Sequence, residues 1–397
     1  MAAATVFCFQ AVLSGAATSN ESPDYATFYE PVARNLLAGR GLVLEDGRTA
    51  LRYPPGYPVI IAGTFVLGRG LGVSEPRVIG ALSAISVGLA ALCVFELARR
   101  VWPGRRALMA PAVVATYPLL LWLCKQPSSE LPFLALFSAA VLAFWIAVEG
   151  RRRYSLALMA GMLTGLSMLV RPIAIGAGVL LACFAWWWGR GSRWHGALIA
   201  GMLLMGNVLV VLPWEVWAFL QTGRVIPLST GGVATVRDGL TFAGRRKEWR
   251  DRKAAPIDVA ELTAEIEEHY LELRTLGDVV SLLEREAKKR PLAVAKFLAW
   301  KAARVWYATD SRRYDVVISL LQIPYLALLA WSVFRAWGEG PGPARLALLL
   351  VGCCTLFWAM AFVALSIVRY VVPAIVLSFA IVPACLPVRF GVKGNRK

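Results

Sequence analysis

The chain has 397 residues, of which 58% are hydrophobic and 17% charged, a balance that belongs to membrane proteins and excludes an ordinary soluble domain. Lysines and arginines number 42 against 25 acidic residues, giving a formal charge of +17. The excess falls in short loops between apolar blocks, as topology signals and headgroup contacts do. No basic stripe interleaved with aromatics stands apart from those loops, so nucleic acid is not an expected partner.

In chain order, ten apolar blocks are candidate spans: 2–18, 79–101, 106–124, 131–149, 154–170, 173–189, 195–216, 315–335, 345–366 and 370–387. A helix of such length crosses a bilayer core while satisfying its own backbone polar groups. Arg99, Arg100, Arg105 and Arg106, then Arg151, Arg152 and Arg153, then Arg190 and Arg193, then Arg335 and Arg345, and finally Arg389, Lys393, Arg396 and Lys397 mark one side. By the positive-inside rule that side is cytoplasmic, and both termini lie there. The expected fold is an all-α polytopic bundle in three parts: an N-terminal transmembrane module at 1–216 with its first outer loop at 19–77, an outer helical loop at 217–314, and C-terminal helices with a tail at 315–397.

The first outer loop opens with Asp24. Tyr25, Phe28, Tyr29, Val32, Ala33 and Leu36 follow at helical spacing, which predicts an amphipathic helix on the bilayer ended by Gly39 or Gly41. The apolar stretch after Pro58 is too short to span and is expected to be re-entrant or interfacial. In the second outer stretch, Asp258 with Glu261 predicts a capping box on a charged helix, a second helix follows, and Pro291 opens a third, amphipathic helix lying along the membrane. Asn20 to Ser22 fits a glycosylation sequon, a match that chance readily supplies. The seven cysteines and two histidines show no metal spacing, so the cysteines read as packing residues and no obligatory metal or other cofactor is expected.

With this topology, the ends of alternate spans meet on the outer face. Asp24, Arg52 and Tyr53 come from the first loop, Lys125 and Glu130 from the turn KQPSSELPF, Arg171 from an Arg-Pro turn, and Arg369 with Tyr370 from the last outer turn. Charges at membrane depth are costly unless paired or solvated, so these are candidate site residues. A transporter or lipid flippase is the alternative reading, although neither internal repeats nor discontinuous facing helices are visible.

These residues resemble the GT-C integral membrane glycosyltransferases, and within them the protein O-mannosyltransferase and lipid A aminoarabinose transferase group. The matching pieces are Asp24 with the run ARNLLAGRG (33–41), RYPPGYP (52–58), SELPF (129–133), the Arg171-Pro172 turn, VLPWEVWAFLQTGRVIPLSTGG (211–232) and RYVVP (369–373). The resemblance implies inverting transfer of a sugar from a polyprenyl phosphate donor to a hydroxyl acceptor on the outer face of the membrane, and the arginine- and alanine-rich usage points to a bacterial inner membrane. Asp24 is then the implied base. Arg369, Arg171, Lys125 and Arg52 are the expected phosphate contacts, Glu130 is a second catalytic carboxylate or an anchor for an arginine, and Tyr29, Tyr53, Tyr57 and Tyr370 are expected to meet substrate. Two departures stand out. Many relatives carry an acidic pair where this chain has Asp24-Tyr25, and many carry lysine or arginine before the double proline, where Tyr53 stands.

Overall fold

A computed structural model describes residues 24–150, 153–188, 193–241, 257–309, 314–340 and 342–386. The expected first span at 2–18, the sequon and parts of four basic loops lie outside the described residues. Among those described, helices make the fold and no strand occurs beyond an isolated bridge between Val43 and Thr49. Five helices are long and apolar enough to cross a membrane. In chain order the elements are a π turn at Tyr25–Tyr29 running into α1 (Glu30–Leu37), α2 (Gly56–Leu71), α3 (Glu75–Val101), α4 (Met109–Thr116), α5 (Pro118–Leu123), α6 (Glu130–Glu149), α7 (Tyr154–Val170), α8 (Ala177–Trp188) and α9 (Arg193–Thr222). A helical cap follows as α10 (Gly231–Thr241), α11 (Ile257–Glu268), α12 (Leu276–Lys289) and α13 (Pro291–Arg304). The chain then closes with α14 (Asp315–Gly338), α15 (Pro343–Ala359) and α16 (Val372–Ser378), the last continuing as a 3₁₀ stretch to Cys385.

Burial sorts the long helices by role. The apolar window of α6 is 78% buried, while those of α9 and α14 are only 22% and 17% buried. A helix apolar all round belongs at the centre of a bundle, and α6 takes that place, packed between α3 and α7. The exposed Val208, Leu209, Leu212, Val316, Leu320 and Phe334 of the outer pair form surfaces suited to lipid chains. Dispersion rather than water exclusion must join helices in lipid, and small residues let them approach. At the crossing of α7 and α9, a Cβ on Gly161 would lie 1.9 Å from the Leu203 carbonyl oxygen, and one on Gly206 would lie 2.2 Å from that of Leu158.

Three expectations need correction. The block at 106–124 is broken: Tyr117 adopts an extended ψ of 109° ahead of Pro118, whose ring disfavours a helical residue before it. The break is re-satisfied locally, with Tyr325 donating to the Thr116 carbonyl at 2.7 Å and Tyr117 donating to Gln322 at 2.8 Å. Next, the apolar face of α1 does not lie open to a bilayer. Val32 and Ala33 are buried with Tyr25, Phe28 and Tyr29 in the main core, and α1 packs on α2. Finally, Asp258 sits inside the first turn of α11 and pairs with Lys296, while the capping box stands one helix later, where Thr275 and Asp278 exchange side-chain and backbone bonds.

The cap has a small core of its own, built on Val259, Leu262, Ile266, Val279, Leu282 and Phe297. Its last helix, α13, turns Ala293, Val294 and Phe297 into that core, and the buried Lys301 ties the cap to the bundle. The Lys301 Nζ donates to the carbonyls of Gly239 at 2.6 Å and Ala364 at 2.9 Å. Burial, with Arg304 nearby, pulls its pKa down to about 7. A neutral amine has two N–H groups, which matches these two acceptors.

Candidate active site

Segments from the two ends and the middle of the chain meet around a cavity of about 350 Å³. Its wall carries Asp24, Tyr29, Arg52, Tyr53, Glu130, Arg171, Arg369 and Tyr370, together with Ser128 and Ser129 ahead of α6 and Ser229, Thr235 and Asp238 from α10 and its approach. Eight of the ten residues singled out from sequence therefore share one cavity. The other two stand apart: Lys125 is exposed and off the wall, and Tyr57 is 1% exposed behind it, its ring edge-on to Tyr29 at 4.9 Å.

Glu130 organises the floor. It is the first residue of α6, so its carboxylate lies at the positive end of a 20-residue helix. Its Oε1 lies 2.7 Å from Arg171 Nη1 and 3.6 Å from Arg369 Nε, and its Oε2 accepts from the Ser128 hydroxyl at 2.7 Å. Arg171 also donates to the Ser129 hydroxyl at 2.9 Å. Burial opposes the charge on Arg171, but Glu130 and the neighbouring tyrosines reverse that, and its pKa stands above the ordinary guanidinium value. Both guanidinium carbons lie near the Tyr370 ring, at 5.1 Å for Arg171 and 5.4 Å for Arg369, so one carboxylate and one aromatic ring hold two cations side by side.

Asp24 stands on the other side of Arg369, with Oδ2 4.0 Å from Nη2. Its Oδ1 accepts a hydrogen bond from the Tyr53 hydroxyl at 2.9 Å. Burial pushes the phenols of Tyr53 and Tyr29 well above their usual range, so both stay protonated at neutral pH. Charges thus alternate across the cavity as Asp24, Arg369, Glu130 and Arg171, with one further cation at the exposed Arg52, whose guanidinium lies 5.3 Å from the Tyr53 ring centroid.

Two sequence runs acquire a physical reason. In RYPPGYP, a Cβ on Gly56 would lie 2.6 Å from the backbone of Leu169, so glycine brings the Arg52–Tyr53 segment against the end of α7, next to Arg171. In the run from Val211 to Gly232, Leu228 is held at φ 59°, a left-handed conformation costly for a branched residue. The hold comes from Glu215, which accepts from the Leu228 N–H at 2.7 Å, and from Trp214, which donates to its carbonyl at 2.8 Å. The following Thr230 and Gly231 N–H groups bond to the carbonyls of Leu51 and Arg52 at 2.9 and 3.1 Å, joining the loop to the RYPPGYP run. Ser128, Ser129, Glu215, Ser229 and Asp238 were not singled out from sequence. The paired serines before Glu130 were a usable signal, since a buried carboxylate needs donors. The others become visible only when the chain folds back. Among the described residues no three His, Cys, Asp or Glu gather as a metal site.

Residues 52–217 match the family model described as dolichyl-phosphate-mannose-protein mannosyltransferase. Among solved structures, the apo oligosaccharyltransferase of Archaeoglobus fulgidus is similar at 14% identity and a TM-score of 0.53, over 96% of this chain and 49% of that one. The chain shares its fold with about half of that oligosaccharyltransferase. The same oligosaccharyltransferase tethered to an acceptor peptide with an NVT sequon gives 12% identity and a TM-score of 0.53, over 96% of this chain and 48% of that one. ArnT from Cupriavidus metallidurans bound to undecaprenyl phosphate gives 15% identity and a TM-score of 0.44, over 97% and 76%. No curated protein sequence matches the chain. The chain spans about half the length of the oligosaccharyltransferase it matches.

Proposed function

We propose that the chain transfers a sugar from a polyprenyl phosphate to a hydroxyl acceptor, with inversion, on the outer face of a bacterial inner membrane. The observation that carries this reading is the placement of the Asp24 carboxylate 4.0 Å from Arg369, in a cavity that also carries Arg171 and is formed where apolar helices end. The match of residues 52–217 to a family named for a dolichyl phosphate sugar supports the donor class.

In the proposed reaction the acceptor hydroxyl oxygen bonds to the anomeric carbon as the bond from that carbon to the phosphate oxygen breaks. Asp24 takes the hydroxyl proton, and the polyprenyl phosphate leaves with one more negative charge. Fixed cations act on charge that grows in the transition state, in a site that excludes part of the water. Arg369 and Arg171 are placed for that role, with Arg52 at the rim. Glu130, already committed to both guanidiniums, acts as their anchor rather than as a second base. Tyr29 and Tyr370 offer faces and hydroxyls to the sugar. The proposal requires no metal, because guanidiniums can neutralise the leaving phosphate.

The test uses purified protein in lipid, a panel of polyprenyl phosphate sugars and an envelope extract as acceptor source, with release of free polyprenyl phosphate as the readout. Release by the wild type and none by Asp24→Asn is the expected result. Full release by Asp24→Asn would remove Asp24 as the base, and folded wild type releasing nothing from any donor would count against the donor class.

A further inference from the structure

Asp24 lacks the backbone support that usually fixes such a side chain. It precedes the π turn with helical dihedrals, φ −65° and ψ −31°, and makes no side-chain capping bond. Among the described residues its hydrogen-bond donor is the Tyr53 hydroxyl, at 2.9 Å on Oδ1. Tyr53 is itself held firmly. Its ring meets Phe28 edge-on at 5.1 Å and 88°, lies 5.1 Å from the Tyr29 ring, and carries the Arg52 guanidinium 5.3 Å from its centroid. Pro54 follows it, restricting its own backbone to extended conformations.

We infer that Tyr53 is a positioning residue for Asp24, holding Oδ1 through its hydroxyl so that Oδ2, beside Arg369, is the oxygen that receives the acceptor proton. This rests on the reading of Asp24 as the base. The acceptor proton moves to Oδ2, while the Tyr53 proton stays on its own oxygen. Burial keeps that phenol protonated, so it remains a donor throughout. A lysine or arginine at this position would offer charge to a phosphate. A tyrosine offers one neutral hydrogen bond on a rigid ring, and the cation is displaced to Arg52.

The experiment is steady-state release of polyprenyl phosphate by the full chain in lipid, comparing wild type, Asp24→Asn and Tyr53→Phe with the donor that the wild type turns over. Phenylalanine keeps every ring contact, so the thermal midpoint should be unchanged. Losing a neutral hydrogen bond to a charged partner should lower kcat about tenfold, with the donor KM within about twofold of wild type. An unchanged kcat, with Asp24→Asn inactive, would overturn the role of Tyr53 while leaving Asp24 as the base. A rise in donor KM without a fall in kcat would make Tyr53 a substrate contact instead. Full activity of Asp24→Asn would sink the reading on which both claims rest.

Discussion

Glu130 and Arg171 form an ion pair of 2.7 Å whose side chains are only 8% and 12% exposed. Such a pair contributes little net stability over apolar packing, but removing one partner leaves a largely buried charge without its counter-ion. Here the cost doubles in meaning, because the same carboxylate also approaches Arg369 at 3.6 Å. Glu130→Ala should therefore lower stability by about 3 kcal/mol or more, and it should raise donor KM as both guanidiniums lose their anchor. Thermal unfolding in detergent with donor titration checks both effects. Unchanged stability would mean that the arginines find other partners.

Arg369 and Lys125 separate a cavity cation from a nearby surface one. Arg369→Ala should weaken donor capture about tenfold to a hundredfold, the scale of a lost charge-assisted phosphate contact. Lys125 lies off the cavity wall, so Lys125→Ala should leave donor KM within about twofold. Direct binding of a polyprenyl phosphate to each variant decides the matter. Equal losses would place the phosphate further toward the Lys125 turn.

Gly56→Ala probes the approach of the first loop to the bundle. A methyl group 2.6 Å from the Leu169 backbone cannot be accommodated without moving one segment. Overpacking of this kind costs about 1 to 3 kcal/mol, and the displaced Arg52–Tyr53 segment should lower turnover beyond the loss of stability. An alanine variant with wild-type midpoint and turnover would show that the segment can shift freely.

Lys301 gives a pH signature. Its pKa is about 7 in the folded chain against an ordinary 10.5, so between those values the unfolded chain binds a proton that the folded chain does not. Stability then rises with pH across that window and gains nothing from this residue below it. The midpoint of the wild type should climb more steeply between pH 7 and 10 than that of Lys301→Met. Parallel slopes would mean that the buried amine keeps its proton.

The sequence makes the helices and most of the cavity legible for one reason: lipid leaves few ways to hide a charge. Arg171, Arg369 and Glu130 are conspicuous because each interrupts apolar chain, and Asp24 because it precedes an amphipathic helix. Lys125 met the same criterion, yet the turn that carries it directs Gln126 and Pro127 to the wall instead. Hydropathy could not reveal the break at Tyr117, since both sides of it are equally apolar; only the proline marks it. The hold on Leu228 was hidden as well. Its geometry depends on Trp214 and Glu215, one helix end away, and a left-handed leucine has no signature of its own in composition or period.

The span of chain between Asp24 and Arg369 also bears on how the protein is made. Translation delivers Asp24, Glu130 and Arg171 early, while the second guanidinium and Tyr370 arrive only with the last outer turn. A nascent or stalled chain therefore inserts with Asp24 exposed and the cavity half built, and if the proposed transfer is its reaction, turnover must wait until α15 and the turn that carries Arg369 are in place.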